Sequence, residues 1–150
     1  MNYVVYPTDK WHNNIYDMHS KFGVHDWMEE QLASRNYDNI KEFMKFRLNF
    51  LKEELDETIK AVEEGDAEEI VDGLIDLCVV AIGTLDAFGC DSHNAWSTVM
   101  EANMKKEIGI KHSRPNPLGL PDLVKPKGWI APDHTHTTGI LKEVYRKESS

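Results

Sequence analysis

The centre of the chain is residues 51–88, which read LKEELDETIKAVEEGDAEEIVDGLIDLCVVAIGTLDAF. The stretch holds no proline, and its apolar residues recur at helical rather than alternating spacing. Gly65 and Asp66 interrupt it, because glycine commonly ends a helix and aspartate commonly caps the next one. Two consecutive helices with so short a break between them predict an antiparallel hairpin.

The placement of prolines extends this prediction along the chain. No proline lies between Pro7 and Pro115, which permits long helices, whereas five prolines fall between Pro115 and Pro132. We predict four helices, over about residues 9–22, 40–64, 66–88 and 91–107, with about one helical turn in the connection 24–39. A short helix is expected over 139–147, and strands are not expected. The predicted fold class is all-α, a four-to-five-helix bundle with an extended Pro-rich C-terminal segment.

The predicted domain organisation follows from the same division. Residues 1–114 are expected to form the all-α domain, and residues 115–150 a Pro-rich segment. A loosely held tail is one interpretation of this segment. Its apolar residues, including Leu118, Trp129 and Ile130, indicate instead that it packs on the same domain.

The composition restricts the function classes. The 150 residues include 17 Lys and Arg against 26 Asp and Glu, a net charge of -9, which argues against nucleic-acid and anionic-membrane partners. The two cysteines form no CxxC pair, so neither a disulfide scaffold nor a zinc cage is indicated. The start, MNYVVYPTDK, shows no secretory pattern, and no apolar run is long enough for a membrane span. We therefore expect a cytoplasmic protein, in the host cytoplasm if the source is viral.

The helix over 66–88 carries a narrow stripe of acids. At about 100° per residue, Glu69, Asp72 and Asp76 lie on one side. Most other residues from 70 to 85 are apolar, as expected of a buried helix. The acids are therefore expected to face the interior or a cleft.

The helix over 40–64 carries a second set of acids. Its main core stripe is expected to consist of Met44, Leu48, Leu51, Leu55, Ile59 and Val62. A neighbouring arc begins with Phe43, Phe46 and Phe50 and continues as Glu53, Glu54 and Glu57. An arc that opens with three phenylalanines is not typical of a solvated face.

The hairpin is expected to bring the two sets of acids together. An EExxE pattern alone is usually a solvated helix face, but six converging carboxylates repel one another unless divalent cations neutralise them. Oxygen ligands without Cys or His favour Mg²⁺, with Mn²⁺ as the alternative, over zinc. The hairpin therefore predicts a magnesium site.

These residues resemble the signature of the all-α nucleoside triphosphate pyrophosphohydrolases, which include the MazG-like and phosphoribosyl-ATP pyrophosphohydrolase-like enzymes. Glu53-Glu54-x-x-Glu57 followed by Glu69-x-x-Asp72 is similar to their EExxE…ExxD motif. The sequence Asn103-Met104-Lys105-Lys106 is similar to their NMxK element, and residues 124–129, VKPKGW, resemble a C-terminal segment of one subgroup. The resemblance covers about residues 40–133.

The resemblance implies a fold, a reaction and a set of site residues. The fold would be a MazG-like bundle, and a (d)NTP would be cleaved to (d)NMP and pyrophosphate by water attack at the α-phosphorus. Metal ligands would be Glu54, Glu57, Glu69 and Asp72, with Asp76 as an outer or additional ligand. Glu53 would be the general base, and Asn103 and Lys106 would contact phosphate oxygens.

Further substrate contacts are expected around this site. Candidates for the nucleotide pocket are His19, Phe22 and Trp27, with core packing as the ordinary alternative. Arg47 would orient a carboxylate or form a plain salt bridge, and Lys125, Lys127 and Trp129 would close over the nucleotide. The two histidines of residues 133–136, DHTH, are interpreted as incidental.

Two other functions stay open from the sequence. One is hydrolysis of phosphoribosyl-ATP by the same fold, and the other is a metal-binding helical bundle without catalysis. The lack of Glu-x-x-His pairs on the two central helices disfavours a di-iron centre. The helix over 66–88 is too apolar for a lone bundle to cover, so we expect a homodimer or homotetramer.

Overall fold

The computed structural model describes residues 10–114, 116–119 and 121–146. Within these ranges the chain forms six helices and two short strands. They are α1 (Trp11–Lys21), α2 (Val24–Ala33), α3 (Tyr37–Glu64), α4 (Ala67–Ala87), α5 (Ser92–Met104), β1 (Glu107–Gly109), β2 (Asp122–Val124) and α6 (Leu141–Val144). The all-α class is confirmed. No helix in the described part of the chain combines the length and apolarity that crossing a membrane requires.

Helix α2 corrects the prediction that residues 24–39 contain only one helical turn. Gly23, at a φ of 79°, turns the chain directly from α1 into this ten-residue helix. Its apolar positions Val24, Met28 and Leu32 are four residues apart and pack in the core cluster. This helix was not predicted from the sequence because its apolar stripe is only three turns long.

Helices α3 and α4 form the predicted hairpin. The side chain of Asn36 caps α3, Gly65 ends it with a φ of 71°, and the Asp66 side chain accepts the Glu69 N–H at the start of α4. Thr58, late on α3, lies against Gly73, early on α4. Arg47, early on α3, bonds Thr84, late on α4. The two helices are therefore antiparallel.

The contact between α3 and α4 uses small and polar residues rather than the expected core stripe. The buried positions on the two helices include Thr58, Ala61, Gly73 and Gly83. A methyl group at position 73 would overlap Thr58 Oγ1. Large side chains do not fit at so close an approach, so they turn outward.

The outward-turned residues correct two expectations from the sequence. Four of the six residues of the predicted core stripe and the apolar side of α4 are exposed on the single chain, so α4 is not buried all round. We call these residues the outer apolar face: Leu48, Leu55, Ile59 and Val62 of α3, and Val71, Leu74 and Ile75 of α4.

The hydrophobic core lies instead at the end of the hairpin that is opposite to the turn at Gly65. It is built on Met28 of α2, Ile40 of α3, Ala87 and Phe88 at the end of α4, and Val144 of α6. The Ile140 N–H donates to the Phe88 carbonyl oxygen at 3.0 Å and so attaches α6 to the end of α4. The predicted short terminal helix therefore forms and closes this core.

The described residues divide into two compact units, 10–92 with 138–146, and 93–137. The second unit contains the strands, which corrects the expectation of none. Glu107–Gly109 pairs antiparallel with Asp122–Val124, and three residues are too few for alternation to be visible in a sequence. Helix α5 accordingly ends at Met104, before the predicted residue 107. The sequence-based boundary at 114/115 lies between these two paired strands.

Candidate active site

Glu54 is the centre of the acidic site. Partial burial raises the pKa of the Glu54 carboxyl above its usual value. The negative charges of Asp76, Glu57, Asp72 and Glu53, in that order, raise this pKa further. The hairpin thus brings acids of both helices into electrostatic contact around one side chain.

Glu69 occupies a different local position from the other predicted ligands. It lies exposed in the first turn of α4, where its backbone N–H donates to Asp66 Oδ1 at 3.2 Å. A carboxylate there is favoured by the positive end of the helix dipole. The capping bond fixes the backbone of Glu69 and leaves its carboxylate available.

The chemistry of these side chains fits a hard divalent cation. The set is all carboxylate oxygen, and the raised pKa of Glu54 shows that its negative charge is disfavoured by its surroundings. Among the described residues, however, the acids do not bring three ligand atoms within 4.8 Å of one another. Their side chains must rotate to reach ligand distances.

Arg47 connects the two helices beyond the acids. Its Nε donates to Thr84 Oγ1 at 3.0 Å, and its Nη2 donates to the Val80 carbonyl oxygen at 2.9 Å. The guanidinium lies 5.9 Å from the ring centroids of both Phe43 and Phe50, and burial lowers the pKa of Arg47. These two hydrogen bonds go to a hydroxyl and a carbonyl, so they do not orient a carboxylate.

The three pocket candidates near the N-terminus lie in different surroundings. His19 is buried, and burial lowers its pKa despite a hydrogen bond to Asp86. Phe22 is 71% exposed at the end of α1. Trp27 packs against the core, with its ring centroid 5.2 Å from that of Phe43. The roles of these three side chains in substrate binding stay predictions.

Sequence reasoning missed the two partners of His19. The Nδ1 of His19 and the Nε2 of His25 lie 2.8 and 2.7 Å from the same oxygen of Asp86. Asp86 is an acid on a largely apolar helix, which is the signal that drew attention to Asp72. It was overlooked because it lies ten residues beyond Asp76, far along the helix from the other acids.

The second unit holds the other predicted substrate residues. Trp129 Nε1 donates to the Ala102 carbonyl oxygen at 2.8 Å. The Nζ atoms of Lys106 and Lys125 lie 5.4 and 4.9 Å from the centroid of the Trp129 ring. Lys127 and Trp129 also line a cavity of about 370 Å³. The unit therefore places two ammonium groups beside one aromatic ring. Asn103 is half-buried and lies next to Ala102 on α5.

A helical hairpin with facing carboxylates is typical of the all-α nucleotide pyrophosphohydrolases. The family model for phosphoribosyl-ATP pyrophosphohydrolase matches residues 23–103, more than half of the chain. The chain belongs to this family, and it is an enzyme that hydrolyses phosphoric anhydride bonds. Comparisons with curated proteins and with solved structures find no match.

Proposed function

We propose that the protein is a Mg²⁺-dependent pyrophosphohydrolase that cleaves a (d)NTP to the (d)NMP and pyrophosphate, with Mn²⁺ as an alternative metal. The observation that supports this proposal is the group of four carboxylates whose charges act on Glu54 from both helices of the hairpin. Such a group requires positive charge, and a magnesium–triphosphate complex supplies it.

The acids divide into ligands and a base. Glu54, Glu57, Glu69 and Asp72 hold the metal, with Asp76 as an outer or additional ligand. Bound Mg²⁺ supplies charge neutralisation and Lewis acidity. Exposed Glu53 accepts a proton from the attacking water as the new bond to the α-phosphorus forms. The bond from that phosphorus to the bridging oxygen breaks, and pyrophosphate leaves.

The second unit is assigned to the substrate. Asn103 and Lys106 contact phosphate oxygens, and Lys125, Lys127 and Trp129 contact the nucleotide. Support comes from the two ammonium groups near the Trp129 ring, because they bring two positive charges to one place in this unit. We further assign Arg47, His19, Phe22 and Trp27 to the substrate side on the sequence pattern alone.

Phosphoribosyl-ATP is the second candidate substrate, because the matching family model describes that activity. A substrate panel with pyrophosphate detection, run with and without Mg²⁺, separates the candidates. Release from one or more (d)NTPs supports our proposal, whereas release from phosphoribosyl-ATP alone contradicts it. Pyrophosphate release from every substrate without any divalent cation contradicts the metal dependence.

The acidic site is tested by Glu54→Gln, which keeps the shape of the side chain and removes its charge. We expect a loss of at least about 100-fold in turnover, beyond the 10–100-fold typical of groups that only support a metal ligand. The matched control is Glu42→Gln on the same helix, whose exposed ion pair with Lys45 has little energetic value. Full activity in Glu54→Gln, with the helical circular dichroism unchanged, would contradict the assignment.

We also propose that the protein works as a homodimer or homotetramer in the cytoplasm. The outer apolar face supports assembly, because seven large apolar side chains of one hairpin are exposed on the single chain. A second copy of the same hairpin is the partner that presents a matching face, as a two-fold axis requires.

A further inference from the structure

Two imidazoles and a carboxylate converge at a place separate from the acidic site. His19 Nδ1 and His25 Nε2 lie 2.8 and 2.7 Å from Asp86 Oδ2, and the three ligand atoms all fall within 4.8 Å of one another. The three side chains are only 5%, 21% and 12% exposed. Asp86 lies ten residues beyond Asp76 on α4, about 15 Å along the helix axis.

Two helix ends at this cluster favour a cation, whereas the N-terminal end of α2, which carries His25, opposes it. His19 lies in the last turn of α1, and Asp86 lies one residue before the end of α4. The carbonyl groups at the C-terminal ends of helices carry partial negative charge. The positive charge of the Arg47 guanidinium opposes cation binding, because this group lies beside Gly83 together with the His19 ring. The Asp86 carboxylate must offset this charge.

We propose that His19, His25 and Asp86 form a second metal site, which binds a divalent transition metal of the Zn²⁺ class. Imidazole nitrogens suit Zn²⁺ and its neighbours in the first transition row, whereas Mg²⁺ prefers oxygen. Two histidines and one carboxylate are an established zinc ligand set that leaves a fourth position for water.

The contacts that His19 and His25 make outside the cluster favour metal binding. Ser20 Oγ lies 3.1 Å from His25 Nδ1, so it would accept the Nδ1–H once a metal replaces the proton between His25 Nε2 and Asp86. Such outer partners fix the tautomer and orientation of metal-binding histidines. The His19 ring packs over Gly83, where a methyl group would lie 3.1 Å from its Cε1 atom. Both rings are thus held in place before any metal binds.

A metal at this position would tie the α1–α2 corner to the end of α4. The three ligands come from three different helices, and α1 and α4 are in direct contact. Metal binding to the folded chain alone stabilises it by mass action.

The test is a Co²⁺ titration of the full chain in excess Mg²⁺, which keeps the acidic site occupied by magnesium. Co²⁺ reports its own coordination through visible absorption, and Zn²⁺ is then added to displace it. We expect one equivalent of Co²⁺ to bind, and Zn²⁺ to raise the Tm by several degrees. His25→Gln should lose both effects, and so should Asp86→Asn, which retains the size of the side chain.

Two further variants separate the possible outcomes. His112→Gln, at an exposed histidine of the second unit, should retain the Co²⁺ absorption of the wild type. Glu54→Gln should also retain it while losing turnover, so this proposal and the proposed function can fail independently. Wild-type protein that binds Co²⁺ no better than His25→Gln would overturn the proposal and leave the cluster as a hydrogen-bonded network.

Discussion

Gly73 allows the closest approach between α3 and α4. An alanine Cβ at this position would overlap Thr58 Oγ1 and lie 3.2 Å from Thr58 Cβ, and both residues are buried. Gly73→Ala should therefore push the helices apart, although alanine has the higher helix propensity. We expect a loss of about 1–3 kcal/mol in the free energy of unfolding, as is typical of overpacking, measured by urea denaturation.

A double-mutant cycle tests the cause of this loss. Thr58→Ala removes the hydroxyl that an alanine at position 73 would meet, at the cost of the Thr58 bond to the Glu54 carbonyl oxygen. The double variant should be more stable than the sum of the two single effects predicts. Additive effects would show that the helices do not approach as closely as Gly73 and Thr58 indicate.

Single residues also show how much of a site can be predicted from the sequence. The grouping of Glu53, Glu54, Glu57 and Asp72 followed from helical geometry, because the ligands of one hairpin are related by local spacing. His25 and Asp86 are 61 residues apart and meet through the packing of three helices. No spacing rule relates positions on different elements, so this cluster could be found only in the folded chain.

At the scale of elements, α6 is held by a turn that requires glycine. Gly139 has a φ of 52°, and a Cβ there would overlap the Phe88 carbonyl oxygen and lie 2.7 Å from Cys90 N. Gly139→Ala should displace the Ile140 bond to Phe88 and loosen α6. We expect a loss of about 2–4 kcal/mol, combining backbone strain with the clash, and reduced amide protection around Val144 by hydrogen exchange.

Gly89 provides the control for this effect. It has a φ of 64°, but a Cβ there would meet nothing within 4 Å. Gly89→Ala should therefore show backbone strain alone, about 1–2 kcal/mol, with Val144 still protected. Equal losses in the two variants would mean that the contact of residue 139 with the end of α4 has no part in holding α6.

The accuracy with which helices and strands were predicted depends on the length of their periodic pattern in the sequence. Helices α1, α3 and α4 followed from uninterrupted periodicity and from glycines or cap residues at their ends. The ten-residue α2 and the three-residue strands give too few periods, so a turn and a coil were predicted instead. The stripe of α3 that was predicted to face the core is largely exposed. Hydrophobicity indicates which side chains avoid water, but it does not indicate which surface covers them.

At the scale of the molecule, the exposure of that stripe predicts assembly. Apolar side chains of the outer apolar face are exposed on both helices of the hairpin, and Leu74 and Ile59 are each about half exposed. A two-fold pairing of this face would bury these residues against their copies. We expect the wild-type protein to run as a dimer or tetramer at micromolar concentration in size-exclusion chromatography with light scattering.

Charge introduced into this face should abolish assembly. In Leu74→Lys, two like charges would meet across the two-fold axis and lose their hydration, which costs several kcal/mol in an apolar contact. We expect monomers whose free energy of unfolding is lower, because the stabilisation from association is lost. Ile110→Lys is the control, since Ile110 is highly exposed but lies outside the outer apolar face, and it should leave the assembly intact. A wild-type protein that stays monomeric at these concentrations, or a Leu74→Lys variant that still assembles, would show that this face is not the contact between copies.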